Sequence, residues 1–307
     1  MTRKIGVIGM GHVGSTVAHY IVANGFTDDL VLIDKNEDKV NSDALDFQDA
    51  MPNLPFHTNI YVNDYSALGD ADVIISAVGN IDLIKQTDGK DRFVELSNNV
   101  EAVKSISAKI KSSGFNGILD VITNPVDVIT SIYQKETGLP KEKVIGTGTL
   151  LDSARMKRAV AAKLNIDSRS VDGYNLGEHG NSQFTAWSTV KVFGEPITNL
   201  VKENNLNLDT LDKDARDGGF EVFKGKFYTN YGVATAAVKL ANAIISDAKS
   251  QLVVSNYRKE YGVYLSYPAI VGKNGIEKQI NLNLTKEELE KLQYSADFIN
   301  QKFEENK

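Results

Sequence analysis

The chain has 307 residues, a length that suits two domains with a cleft between them. Apolar residues make up 42% and charged residues 24% of it, a composition that excludes a disordered chain and a membrane protein. The formal net charge is -6, with no long run of Lys or Arg, so no nucleic-acid partner is expected. The absence of cysteine excludes disulfides and thiolate metal sites, and it is compatible with a cytoplasmic location.

Short apolar runs separated by segments of helical length dominate the first half. Runs of this kind are typical of strands buried on both faces of a parallel sheet. The runs are IGVIG (5–9), LVLID (30–34), ADVIISAVG (71–79), GILDVITNP (117–125) and KVIGTG (143–148). The pattern predicts an α/β domain over residues 1–146, with a doubly wound parallel sheet of the Rossmann type.

The second half, residues 147–307, has a different pattern and predicts an α+β domain with an antiparallel component. It begins with a helix over 151–164, and the turn GKNG (272–275) predicts a hairpin between two strand-like runs. Thr285 and Glu288 form a capping box at the start of a last helix. The residues expected on the apolar face of that helix are Leu289, Leu292, Ala296, Ile299 and Phe303.

The stretch IGVIGMGHVG carries a nucleotide-binding signature. Gly9, Gly11 and Gly14 form G-x-G-x-x-G between a predicted strand and a predicted helix, where glycine permits a tight turn and close approach to a pyrophosphate. The intervening residues Met10, His12 and Val13 are expected to contact the cofactor with them. Asp34 ends the second strand, where its carboxylate favours NAD over NADP. The alternative is an α/β domain that merely uses glycine in its first turn.

Three polar residues stand out after Leu150. Asp152 and Arg155 are three positions apart, so they project from one face of the predicted helix. His179, one of four histidines, lies in the glycine-bounded stretch GEHGNS. Asp152 is a candidate partner to orient this histidine for acid–base chemistry, whereas a surface ion pair with Arg155 is the structural alternative.

Four motifs in order resemble the L-lactate and malate dehydrogenase family over nearly the whole chain. They are the glycine loop, ITNPVD, GTGTLLDSAR followed by GEHGNS, and LSYPAIVGKNGI. The form GEHGNSQF and the long segment before Arg92 are most similar to the L-2-hydroxyisocaproate dehydrogenases of lactic acid bacteria. The resemblance implies an NAD-dependent oxidoreductase acting on L-2-hydroxy acids, assembled as a homodimer or homotetramer.

The resemblance also implies roles for individual residues. His179 is expected to donate and accept the proton, Asp152 to hold it, and Arg155 to bind the substrate carboxylate. Arg92 is expected to polarise the substrate carbonyl. Asn124, in a cis peptide with Pro125, and Thr229 are expected to contact the substrate. Gly79, Asn80 and Asn124 are expected to complete the cofactor site, and no metal is expected.

The segment NIDLIKQTDGKD, before Arg92, bears on the substrate. In the family that the chain resembles, malate dehydrogenases have an arginine in this segment for a second carboxylate. The segment holds no arginine here, so the resemblance implies a 2-oxo monocarboxylic acid, with a dicarboxylate bound by Lys85 or Lys90 as the alternative. Ile81, Leu83 and Ile84 either form an apolar wall for a branched side chain or pack the loop against the body. The sequence favours 4-methyl-2-oxopentanoate and similar acids, with pyruvate as the alternative. The rivals from other classes are a dinucleotide-binding module without catalysis and a metal-dependent glycoside hydrolase built on the same fold.

Overall fold

A computed structural model describes residues 2–80, Leu83 and residues 93–306. The helices are α1 (His12–Ala23), α2 (Glu37–Ala50), α3 (Leu96–Ser112), α4 (Val126–Thr137), α5 (Leu150–Leu164), α6 (Ile197–Glu203), α7 (Leu208–Lys226), α8 (Tyr231–Ile245) and α9 (Lys286–Glu304). The strands are β1 (Lys4–Ile8), β2 (Asp29–Ile33), β3 (Asn59–Val62), β4 (Val73–Ser76), β5 (Ile118–Val121), β6 (Val144–Gly146), β7 (Val171–Asp172), β8 (Asn175–Leu176), β9 (Phe184–Thr185), β10 (Lys191–Val192), β11 (Glu195–Pro196), β12 (Ser250–Arg258), β13 (Val263–Gly272) and β14 (Gly275–Gln279).

One large sheet runs through the described part of the chain. Its nine strands follow the order β14-β13-β12-β6-β5-β4-β1-β2-β3. The six strands from β3 to β6 are parallel, which confirms the predicted doubly wound fold. The strand order reverses between β1 and β4, so the carboxyl ends of these two strands border the crevice where such folds bind ligands.

The buried strands correspond to the five apolar runs, whereas β3 was not predicted. Every residue of β2, β4 and β5 is buried, because helices cover both faces of the sheet. β3 reads Asn-Ile-Tyr-Val at the edge of the sheet, and its residues alternate between exposed and half-buried. A half-solvated edge strand lacks the continuous apolar run by which the others are recognised.

The second half of the chain extends the same sheet. Ser255 of β12 pairs with Gly146 of β6, and β12, β13 and β14 continue as antiparallel strands. The predicted hairpin is present, since β13 and β14 pair across a turn at Lys273 and Asn274. The sheet therefore crosses the domain boundary expected after Gly146, and that boundary stays a prediction.

The last helix, α9, begins with the predicted capping box. The side chain of Thr285 accepts from the Glu288 N–H, and the Glu288 carboxylate accepts from the Thr285 N–H. Leu292, Ala296 and Ile299 are buried as expected. The prediction for Leu289 is wrong, because its side chain is 47% exposed: it lies at the edge of the helical face, beyond the part that contacts the body.

Two apolar cores cover the two faces of the sheet. One contains residues of α3, α4 and α9, and the other contains residues of α1, α2 and α8. Both cores draw residues from each side of Gly146, which makes the junction between the two halves rigid. None of the helices in the described ranges has the length and apolar character needed to span a membrane.

Asp120 of β5 is an acid buried inside this sheet. It is fully buried, and its partners on the two neighbouring strands are Ile75 of β4 and Ile145 of β6. Within the described residues, neither of its carboxylate oxygens has a hydrogen-bond partner. Burial therefore raises the pKa of Asp120 well above its usual value, which favours the neutral form of the side chain in the folded protein.

We expect Asp120→Asn to stabilise the protein at neutral and alkaline pH. Because the pKa of Asp120 is raised in the folded state, that state binds the proton more tightly than the unfolded state does, so the native chain loses stability as pH rises above about 4. Asn cannot ionise, which removes this loss. Thermal unfolding should show a Tm higher by roughly 2–8 °C at pH 8, and a much smaller difference near pH 4. An equal gain at both pH values would contradict the argument.

Candidate active site

The glycine loop between β1 and α1 has the geometry of a phosphate-binding turn. Gly9 has φ +91°, a backbone conformation that favours glycine. A Cβ atom on Gly14 would lie 1.8 Å from the carbonyl oxygen of Gly9, so only glycine lets the helix start so close to the strand. A Cβ on Gly11 would meet nothing within 4 Å, because this residue borders the pocket. The loop therefore offers an open cradle at the N-terminus of a helix.

Asp34, at the end of β2, is fixed in the position expected for a ribose-binding acid. Its Oδ2 accepts from the N–H of Met10 at 2.6 Å, and its Oδ1 accepts from the N–H of Asn36 at 2.8 Å. The carboxylate thus connects the second strand to the glycine loop. The side chain of Met10 is buried in the core, so this residue presents its main chain to the loop.

A cavity of about 440 Å³ lies beside the loop and is lined by residues from both halves of the chain. The predicted residues that line it are Gly11, His12, Val13, Gly79, Asn80, Asn124, Arg155, His179 and Thr229. The structure thus brings the expected cofactor residues and the expected substrate residues to one pocket. Gly9, Met10, Gly14, Asp34 and Asp152 do not line it.

Asp152 connects the two side chains expected to handle the substrate. Its Oδ2 accepts from Nδ1 of His179 at 2.6 Å, and its Oδ1 accepts from Nη1 of Arg155 at 3.0 Å. Asp152 is buried in the first turn of α5, whereas His179 and Arg155 reach the pocket. A single buried carboxylate therefore fixes an imidazole and a guanidinium at the same wall.

The loop that carries His179 is fastened by hydrogen bonds to three other elements. The N–H of His179 donates to Oδ2 of Asp127 at 2.8 Å, and Gly177 forms a two-way bridge with Ser266 of β13. Ser295 of α9 donates to the carbonyl of Ser182 at 2.7 Å. These contacts keep the histidine loop against the sheet.

Asn124 lies at the carboxyl end of β5, and its peptide bond to Pro125 is cis, as the resemblance implies. Asn99 of α3 donates to the Asn124 carbonyl at 2.8 Å. Within the described residues, the buried Oδ1 of Asn124 has no hydrogen-bond partner, although the residue lines the pocket. An amide in this state fits a bound group that carries a hydrogen-bond donor.

Thr229 lies between α7 and α8, in a segment that docks onto the glycine-loop helix. The rings of His12 and Tyr228 stack with centroids 3.7 Å apart and an interplanar angle of 3°. Asn230 donates to Oγ1 of Thr16 at 2.8 Å. These contacts hold Thr229 against the cofactor loop across the pocket.

Many lining residues were not predicted from the sequence, and α7 supplies four of them: Arg216, Gly219, Phe220 and Phe223. Others include Ser15, Lys39, Glu95 and Leu151. The pair Gly218–Gly219 was an available signal, since glycine inside a helix costs about 1 kcal/mol relative to alanine. A Cβ on Gly219 would lie 3.2 Å from Cζ of Arg155, so glycine lets α7 approach the guanidinium. Arg92, Ile81 and Ile84 lie outside the described residues, and Leu83 is half-buried.

Two family models together match nearly the full chain. The model of the lactate/malate dehydrogenase NAD binding domain matches residues 3–146, and that of the alpha/beta C-terminal domain matches residues 149–307. The chain belongs to the lactate/malate dehydrogenase family. It is an NAD-dependent oxidoreductase of 2-hydroxy acids.

Individual relatives in this family are similar over their whole length. An L-lactate dehydrogenase of Mycoplasma mycoides is 38% identical, over 97% of this chain and 95% of its own. One of Priestia megaterium is 37% identical, over 98% of this chain and 95% of its own. The ligand-bound minor L-lactate dehydrogenase of Enterococcus mundtii superposes with a TM-score of 0.93 at 33% identity, covering 100% of this chain and 99% of that one.

Among the residues that the structure describes, no group of three or more His, Asp or Glu side chains is placed to hold a metal ion. The residues present do fit NAD, since the open cradle at Gly11 and the buried oxygen of Asn124 meet at the same cavity. The site is thus suited to a dinucleotide and to a small acid bound by Arg155.

We expect Arg155→Lys to weaken the binding of the 2-oxo acid and to leave cofactor binding intact. Lysine keeps the positive charge but cannot form the two parallel hydrogen bonds that a guanidinium makes to a carboxylate. The KM for the 2-oxo acid should rise about 10- to 100-fold, while the Kd of NADH measured by fluorescence stays within about twofold.

Arg158→Lys, on the exposed face of the same helix, provides the control and should behave like the wild-type enzyme. A loss of NADH affinity in Arg155→Lys would show that Arg155 serves the cofactor instead.

Proposed function

We propose that the protein interconverts 2-oxo monocarboxylic acids and L-2-hydroxy acids with NAD, and that pyruvate and L-lactate are its principal pair. The carboxylate of Asp152, which binds His179 through one oxygen and Arg155 through the other at the pocket wall, carries the proposal. The names of the relatives, all L-lactate dehydrogenases, support pyruvate as the substrate.

The proposed mechanism assigns the proton to His179. The guanidinium of Arg155 binds the substrate carboxylate, which orients the C2 oxygen toward the imidazole. Because Nδ1 donates to Asp152, the proton for the C2 oxygen comes from Nε2 of the imidazolium. Bound NADH supplies the hydride for C2. In the reverse direction, Nε2 takes the proton back from the hydroxyl group, and Asp152 stabilises the imidazolium that results.

The cofactor residues are proposed from the glycine loop, from the acid that is hydrogen-bonded to it, and from the residues that line the cavity. The N–H groups of the glycine loop would bind the pyrophosphate, and Asp34 would bind the adenosine ribose. Gly79 and Asn80 line the same cavity at the end of β4. The amide of Asn124 would contact the nicotinamide half or the substrate oxygen. Arg92 keeps its proposed role in polarising the substrate carbonyl.

A preference for branched acids is the second candidate. The observation in its favour is that three apolar side chains, those of Leu151, Phe220 and Phe223, line the same cavity as Arg155. Apolar side chains in this cavity would accommodate the side chain of 4-methyl-2-oxopentanoate as well as the methyl group of pyruvate. The homo-oligomeric assembly, as a dimer or tetramer, and the cytoplasmic location stay predictions.

We expect His179→Ala to lower kcat about 10²- to 10⁴-fold, because the proton transfer loses its donor. The exposed residue His19 of α1 offers a matched control, and His19→Ala should retain full activity. NADH oxidation with pyruvate is measured for both variants, and an equal rate in the two would contradict the role of His179 as the proton donor.

The enzyme should prefer 2-oxo acids that have a single carboxylate and a small apolar side chain. We expect kcat/KM with NADH to be highest for pyruvate, lower for 4-methyl-2-oxopentanoate, and lowest, by at least about 100-fold, for oxaloacetate. The reverse order of the first two acids would establish the branched-chain candidate. A preference for oxaloacetate would reject both candidates.

A further inference from the structure

Asp127 is a buried acid close to the active site that the mechanism above does not use. It lies in the first turn of α4, two residues after the cis peptide of Asn124, and is only 1% exposed. It does not line the cavity, so it is separated from the substrate and the cofactor by other residues. Any part that it takes in the reaction must therefore act through a neighbour.

That neighbour is His179. Oδ2 of Asp127 accepts from the N–H of His179 at 2.8 Å, and Oδ1 lies 2.5 Å from Oγ of Ser255. Ser255 is itself fully buried in β12, where it pairs with Gly146 of β6. The carboxyl group of Asp127 thus joins the histidine loop to the rigid central sheet.

The contact works in both protonation states of the acid. Burial, opposed in part by the hydrogen bond from Ser255 and reinforced by the nearby Glu178, raises the pKa of Asp127 to about 7. The ionised carboxylate accepts from both donors. The protonated acid still accepts from the His179 N–H while it donates from Oδ1 to the Ser255 hydroxyl, which can accept as well as donate.

The histidine loop needs such a restraint because of its glycines. Gly177 has φ +92°, and Gly180 follows His179 directly. Glycine has more backbone freedom than any other residue, so hydrogen bonds from neighbouring elements have to set the conformation of the chain around His179. A displacement of about 1 Å at a catalytic group can cost on the order of 10²-fold in rate.

We propose that Asp127 is a positioning residue, whose carboxyl group fixes the main chain of His179 so that the imidazole meets Asp152 in the orientation required for proton transfer. This inference rests on the proposed role of His179 as the proton donor. Because the restraint depends on hydrogen bonding and shape, a neutral isostere can replace the acid.

The test compares Asp127→Ala with Asp127→Asn. Alanine removes the acceptor and should lower kcat about 10- to 100-fold, while the KM for pyruvate and the Kd of NADH stay within about threefold, since Arg155 and the glycine loop are untouched. Asparagine keeps an acceptor for the His179 N–H and a donor for Ser255, and should restore kcat to within about threefold of the wild type. Asp120→Ala removes another buried carboxyl of the same sheet region, without a contact to His179, and should keep full kcat.

A double-mutant cycle separates positioning from general damage. In a His179→Ala background, Asp127→Ala should lower kcat by less than about twofold, because the group that it positions is gone. Two outcomes would overturn this inference while leaving the proposed function intact. One is a further 10-fold fall in kcat when Asp127→Ala is added to His179→Ala. The other is a normal kcat in folded Asp127→Ala when His179→Ala is slow. A His179→Ala enzyme with full kcat would overturn the proposed function and this inference with it. Should Asp127→Ala not fold, a fall of more than 10-fold in Asp127→Asn would be decisive against the inference.

Discussion

The buried carboxylate of Asp152 is the interaction on which the arrangement of the site depends. A carboxylate removed from water is costly unless donors satisfy both oxygens, and here one oxygen is bound by His179 and the other by Arg155. Its position in the first turn of α5 adds the favourable field of a helix N-terminus. Because a single acid binds both side chains, the distance between the His179 imidazole and the Arg155 guanidinium is fixed by one residue.

Small buried hydroxyl groups hold the elements that surround this acid. The N–H of Thr149 donates to Ser266, and its hydroxyl donates to the carbonyl of Asn175. The N–H of Asn175 in turn donates to the hydroxyl of Ser153. These bonds join the start of α5 to β13 and to the strand that leads into the histidine loop. Asp152 and His179 thus come from distant parts of the sequence but share one hydrogen-bonded frame.

Local patterns in the sequence were sufficient for much of the fold. Continuous apolar runs identified the strands that are buried on both faces, and Gly9, Gly11 and Gly14 identified the cofactor loop. The edge strand β3 escaped recognition because it is half-solvated and carries no such run. The pairing of Ser255 with Gly146, which joins β12 to the parallel sheet, depends on residues far apart in the chain and has no local signature.

The same distinction holds for the candidate site. The spacing of Asp152 and Arg155 on one helix could be read from the sequence, and His179 stood out by its polar, glycine-rich setting. Asp127 could not be found in this way, because its side chain reaches His179 only after α4 packs beside β12. The need for glycine at position 219 likewise could not be predicted, because it depends on the close approach of α7 to Arg155 in the tertiary structure.

The packing of α8 against α1 has a consequence for chimeric enzymes. The core on that face of the sheet combines Val17 and Ile21 of α1 with Ala237 and Leu240 of α8, although the two helices come from opposite halves of the chain. Transplanting the first half from a relative with different cofactor preference would leave α8 facing foreign side chains. A chimeric enzyme should therefore take α8 from the same parent as the first half of the chain. The segments to exchange are then chosen by which helices pack together and not by their order in the sequence.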